Sequence, residues 1–152
     1  MSKKFGKILC LMLSSYRDVF LFDIDSYATA DPSDLFDSPS YQLHGALFWP
    51  GTCNFYSVNT DTFMFFGITP PPYWGNVGSK GITKFLDTCH PDNPLEIQGG
   101  LMVLDKSRAW RGMYMTMFIS IHEHYFNKRL DGNRMMFYFG FRTTKIDDVS
   151  RC

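Results

Sequence analysis

Val19-Phe20-Leu21-Phe22 is an unbroken apolar run of β-forming residues, with Asp18 before it and Asp23-Ile24-Asp25 after it. A strand that is apolar at every position needs cover on both faces, so the run predicts a parallel strand inside a layered sheet. The residues ahead of it strengthen that reading. Phe5, Ile8, Leu9, Met12, Leu13 and Tyr16 recur at helical spacing and predict a helix over about Lys4 to Ser15. Helix followed by buried strand points to an α/β architecture.

Size and charge narrow the classes further. The chain has 152 residues, 45% hydrophobic and 17% aromatic, enough for one compact domain with no internal repeat. At this length roughly 70% of the unfolded surface can be buried. Fifteen basic and fifteen acidic side chains cancel, and no basic cluster runs longer than Lys3-Lys4 or Lys128-Arg129, so the footprint of a nucleic-acid binder is absent. Cys10, Cys53, Cys89 and Cys152 have no C-x-x-C spacing and predict neither a zinc site nor a disulfide framework. The apolar run from Ile8 to Leu13 is too short to cross a bilayer, and no small-residue cleavage site follows it.

Along the rest of the chain, Asp31-Pro32 predicts a capped short helix through Leu35 and Phe36, ended by Ser38-Pro39. Ala46 to Trp49 reads as a strand stopped by Pro50-Gly51, and Asn54 to Phe66 as strand or packed loop. Pro70-Pro71-Pro72 with Gly75, Gly78 and Gly81 predicts an extended surface loop able to cover a cleft. Ile82 to Leu86 reads as a short helical segment, and Leu101 to Leu104 as a strand. Trp110, Met113, Tyr114, Met117, Phe118, Ile121 and Tyr125 give an amphipathic helix from about Lys106 to Asn127, with Asp105 as its amino-terminal cap. Met135 to Phe141 fits a buried helix or a strand equally well.

In open α/β sheets ligands collect outside the carboxyl ends of strands, where Asp23 and Asp25 stand. Residues two apart on a strand share a face, and hard carboxylate oxygens suit magnesium or manganese, which keep waters and bind substrate phosphates. The plainer alternative is a pair of Asp residues that cap a strand and open a turn. His122 and His124 stand two apart on the expected helix, about 200° around it, too far to share one ion.

Several segments, taken in order, resemble the fungal α-mannosyltransferases that extend mannan side chains. Leu13 to Asp25 is similar to that family's helix, strand and Asp-x-Asp motif, and Asp31-Pro32 with Leu35-Phe36-Asp37-Ser38-Pro39 continues it. Gly45-Ala46-Leu47-Phe48-Trp49-Pro50 resembles a family block, as do Glu96 to Lys106 and Gly132 to Phe141. The likeness covers about residues 7 to 142. It implies a GT-A-like, Rossmann-like mixed sheet flanked by helices, incomplete at both ends, with a partner chain available to cover the open sheet. It also implies metal-dependent transfer of mannose from GDP-mannose to a glycan or glycoprotein acceptor, with retention, in the Golgi lumen.

On that resemblance Asp25 ligates manganese or magnesium directly and Asp23 supports the ion or touches the donor. Arg134 holds phosphate oxygens, or else is a solvated residue at a helix start. Gly99 and Gly100 let backbone approach the donor sugar or form a strand-entry turn. Glu96 is a candidate base or acceptor-binding carboxylate, Asp105 a catalytic carboxylate or a helix cap, and Gln98 a substrate contact. Trp49 and Trp74 are candidates to stack on sugar rings, with core packing the plainer role for Trp49. The chain departs from the family at Gln98, Asn133 and Met135, where acidic residues are expected, and at Leu101 in place of Gln. Two other readings use the same motif: a glycosyltransferase-like domain that binds without turnover, and a haloacid-dehalogenase-type phosphatase. The second has Tyr27 where Thr or Val is usual, and takes Asp147-Asp148 as its late acidic pair.

Overall fold

The computed structural model describes residues 3–50, 60–69, 97–126, 130 and 132–144. Expectations for Cys53, Cys89, Cys152, Trp74, Glu96, the proline-rich loop, the segment Ile82 to Leu86 and Asp147-Asp148 lie outside these residues. The described elements run α1 (Lys3–Leu13), β1 (Asp18–Phe22), α2 (Asp34–Asp37), α3 (Pro39–His44), β2 (Ala46–Pro50), α4 (Thr60–Phe65), β3 (Ile97–Asp105), α5 (Lys106–Ile121), α6 (Glu123–Phe126) and α7 (Gly132–Thr143).

The sheet has the order β1-β3-β2, and both outer strands pair antiparallel with β3. The described elements give an α/β architecture, and the antiparallel pairing corrects the parallel expectation for Val19 to Phe22; among the described strands no parallel pair occurs. The apolar run arises for a different reason: an antiparallel sheet with packing on both faces produces the same signature. Cross-strand rows show this directly. Val19, Leu104 and Ala46 form one row and Leu21, Met102 and Phe48 another, and all pack into the main core. The row between them, Phe20, Val103 and Leu47, points to the other face, where Leu35, Phe36, Tyr41 and Trp49 gather.

The main core lies between the sheet and helices α1, α4, α5 and α7, and is filled by Ile8, Leu11, Phe48, Phe63, Ile119 and five aromatic residues of Phe137 to Phe141 and Phe126. Met135 to Phe141 is therefore a buried helix. Helices α5 and α7 touch through small residues: a Cβ on Gly112 would stand 2.6 Å from the Phe141 ring, and one on Gly140 2.8 Å from the Thr116 backbone nitrogen. The second face is covered more thinly by α2 and α3.

Caps set the element boundaries. Asp105 accepts from the amides of Ser107 at 2.9 Å and Arg108 at 3.4 Å, as expected for the residue opening α5. The helical span of α2 begins after Ser33, whose side chain makes no capping bond; the capping acceptor is Asp31, which takes the Ser33 amide at 3.0 Å and hydroxyl at 2.6 Å, as expected for an Asp ahead of Pro32. Ser38 both ends α2 and caps α3, whose Pro39 stands in the first turn. Gly45 closes α3 at φ 69°, a left-handed conformation that favours glycine. Thr60 to Phe65 is helical where a strand or loop was expected, because aromatic density does not distinguish a short buried helix from a strand. The long amphipathic pattern breaks at His122, giving two helices, α5 and α6, in place of one. None of the described helices is long and apolar enough to cross a membrane.

Candidate active site at the carboxyl end of the first strand

Asp23 continues the ladder one step beyond β1, its amide donating to the Gly100 carbonyl at 2.8 Å. By strand alternation it faces the same side as Val19 and Leu21, the side of α1. There Lys7, only 16% exposed, forms an ion pair with Asp23 Oδ1 and donates to the Gly99 carbonyl at 2.6 Å. The other side of the carboxylate lies over Gly100, where an added Cβ would come within 2.9 Å of Asp23 Cγ. Gly99 and Gly100 are thus strand residues and no entry turn. The bare backbone of Gly100 is occupied by Asp23.

After Asp23 the chain turns, with the Ser26 amide donating to the Asp23 carbonyl at 3.0 Å. Ile24 and Asp25 project to solvent, and Asp25 accepts from the Ser26 hydroxyl at 3.4 Å. One carboxylate of the motif is anchored; the other is open. No group of three or more His, Cys, Asp or Glu placed to hold a metal occurs among the described residues. A carboxylate pair that leaves most positions to water and substrate phosphates matches the habit of magnesium and manganese.

The remaining predicted residues are spread. Gln98 is half-buried in β3 beside Gly99. Arg134 falls in the first turn of α7. Trp49 is half-buried and stacks on Phe20 with centroids 6.4 Å apart, on the α2–α3 face of the sheet. Asp105 is at the far end of β3, 3% exposed, bound by Arg17 through Nη2 at 2.7 Å and Nε at 3.2 Å. Asp105 thus has the cap and ion-pair roles. The Arg17 guanidinium and the Ser107 hydroxyl and amide hold its carboxyl down to about 2, against the opposing pull of burial. His122 stands at the break between α5 and α6 and His124 lies in α6, with ring centroids 6.5 Å apart, so the angle expected for one continuous helix does not apply.

Two features escaped the sequence. Lys7 sits sixteen residues from its partner, and only its place in the helix before the strand hinted at it. A second polar cluster, Arg17, Asp18, Tyr41 and Asp105, joins the opposite end of β1 to β3 and α3. Asp18 and Asp105 are direct cross-strand neighbours, so two like charges face each other. Arg17 on Asp105, and the Tyr41 hydroxyl donating to Asp18 at 2.5 Å, relieve that repulsion. Burial and the Asp18 carboxylate keep Tyr41 protonated far above the ordinary tyrosine range.

A family model described as "Mannosyltransferase putative" matches residues 2–149, nearly the whole chain. The chain belongs to this mannosyltransferase family. Within it, the α-1,2-mannosyltransferase MNN22 of Candida albicans is 34% identical over 135 residues, an alignment covering 76% of this chain and 22% of that protein. The chain therefore spans about a fifth of the length of that relative. No solved structure matches. Family membership agrees with the resemblance drawn from the motif blocks.

Proposed function

We propose that this chain is the donor-binding core of a GT-A-type mannosyltransferase that takes mannose from GDP-mannose and passes it, with retention, to a glycan or glycoprotein acceptor in the Golgi lumen. The observation that carries this reading is the Asp-x-Asp pair at the end of β1, one carboxylate fixed by Lys7 and Gly100 and the next exposed. Asp25 would hold manganese or magnesium directly, with Asp23 in support. When bound, the ion supplies a Lewis acid that offsets charge on the departing diphosphate, an effect of several kcal/mol.

The chain's own groups then have distinct work. Lys7 balances the charge of Asp23 and holds its carboxylate in one place, which lowers the cost of ordering the site. Gly99 and Gly100 are assigned to the donor side, Gly100 through the room its missing side chain gives to the Asp23 carboxylate, and Arg134 is assigned to phosphate oxygens. Gln98, Trp49, Trp74 and Glu96 are assigned to sugar contacts, Glu96 also as base.

Calorimetry of GDP-mannose with and without manganese tests this. Wild type should bind in a metal-dependent manner, and Asp25→Asn should weaken that binding by at least about tenfold. Metal-independent binding, or none, by wild type would remove the donor-site assignment. Release of p-nitrophenol from its phosphate ester, lost in Asp23→Asn, would assign the motif to a phosphatase.

A further inference from the structure

Lys7 stands in α1 one turn ahead of Leu11 and next to Ile8, both fully buried, so its stem lies along the core and its ammonium is carried to the end of the sheet. There it is 16% exposed and meets two acceptors, Asp23 Oδ1 and the Gly99 carbonyl, the latter at 2.6 Å. A lysine ammonium has three protons to give, and two are placed on these atoms. A cation this far out of water is stable only where it is paired, and Asp23 is the carboxylate that pairs it.

That pairing divides the Asp-x-Asp motif. The Asp23 carboxylate meets Lys7 at one oxygen and rests against Gly100 on its other side, where an added Cβ would stand 2.9 Å from Cγ. The chain turns immediately afterwards, the Ser26 amide donating to the Asp23 carbonyl at 3.0 Å, and Asp25 stands in the exposed part of that turn. Two carboxylates and one ammonium leave a single negative charge on the motif, and Asp25 carries it.

A divalent ion bound to Asp23 Oδ1 would have to take the place of the ammonium. The charge of the ligands, together with the rigidity of the site, sets how tightly oxygen ligands hold such an ion. We infer that Lys7 is a resident counter-cation that withholds Asp23 from the metal, so that the motif offers the ion one carboxylate in place of two and binds it weakly in the absence of donor. This rests on the donor-site reading and adds to it a positioning residue that acts on the ion only through Asp23.

Manganese titration followed by electron paramagnetic resonance, on the 152-residue chain without nucleotide, tests the inference. Lys7→Gln keeps a hydrogen-bond donor for the Gly99 carbonyl and removes the charge; it should bind manganese about tenfold more tightly, the scale on which outer partners change metal affinity. Lys7→Met should do the same, and Lys7→Arg, which retains a cation, should match wild type. Lys7→Gln combined with Asp23→Asn should return to wild-type affinity. Proton relaxation by bound manganese should fall in Lys7→Gln, because Asp23 displaces a coordinated water. The inference is overturned if folded Lys7→Gln or Lys7→Met binds no more tightly than wild type, or if the gain survives Asp23→Asn. A rise in affinity with no loss of coordinated water also overturns it, since charge alone would then be acting, as does failure of both uncharged variants to fold, which would make Lys7 structural. Asp25→Asn separates the two readings. If it weakens manganese binding while Lys7→Gln changes nothing, only the Lys7 inference falls; if it changes nothing in any background, the donor-site reading falls and takes the inference with it.

Discussion

At Asp105 one carboxylate caps α5, accepts a forked pair of hydrogen bonds from Arg17, and stands across the sheet from Asp18. Because its folded-state value is held down to about 2, the unfolded chain takes up its proton first as acid is added. The stabilisation is thus fully present above about pH 4, the ordinary carboxylate range, and is lost as pH falls from there towards 2. Its size is at most about 2 kcal/mol, since the partner Arg17 faces water and is screened. Urea unfolding between pH 5 and 2 should therefore show a decline in wild type that is smaller in Asp105→Asn, roughly pH 5 being the plateau. Equal slopes in the two proteins would remove this account.

Two helical glycines with opposite surroundings test the packing of the elements. Gly6, inside α1, has open space where a Cβ would go, so Gly6→Ala should stabilise by about 0.5–1 kcal/mol through helix propensity alone. Gly140 in α7 meets the Thr116 backbone, so Gly140→Ala should destabilise by about 1–3 kcal/mol despite the same propensity gain. Thermal unfolding of the two variants, shifting in opposite directions, checks the α5–α7 contact. Such contacts also mark where sequence reading stops. The helix over Lys4 to Ser15, the strands at Val19, Ala46 and Leu101, and the cap at Asp105 were legible because each rests on local periodicity or a local hydrogen bond. Strand direction was not, since an apolar run reports cover on both faces and carries no information on its neighbour. The α4 helix was missed because apolar aromatics suit either backbone. For the site, the Asp-x-Asp pair was visible in the sequence, whereas Lys7 on Asp23 and the Arg17–Asp105 pair join residues far apart and depend on the sheet register.

On the whole molecule, α5 presents a second apolar stripe. Trp110, Tyr114, Phe118 and Ile121 are each about half exposed, along a groove also lined by Arg111, Met115, Thr143 and Thr144. Patches beyond a few hundred Å² are uncommon on isolated monomers. Tyr114→Gln should leave the unfolding free energy within about 0.5 kcal/mol, because the ring is 59% exposed and contributes little to the core. Urea unfolding of the variant checks this, and a large loss of stability would show that the ring is structural.

The strand order has a consequence in time. β3 lies between β1 and β2 yet is made after both, and among the described strands neither outer one pairs with anything else. During synthesis the ribosome must deliver residue 105 before the sheet can close, joining positions 88 apart in sequence through Arg17 and Asp105. Until then the Asp23 carboxylate has no Gly100 carbonyl to set it, and β1 and β2 wait as exposed edges. Long-range pairing of this kind slows folding and lengthens exposure to aggregation. The candidate site thus depends on a strand made more than seventy residues after Asp23, so the geometry of its carboxylate is set by long-range pairing and not by the local chain.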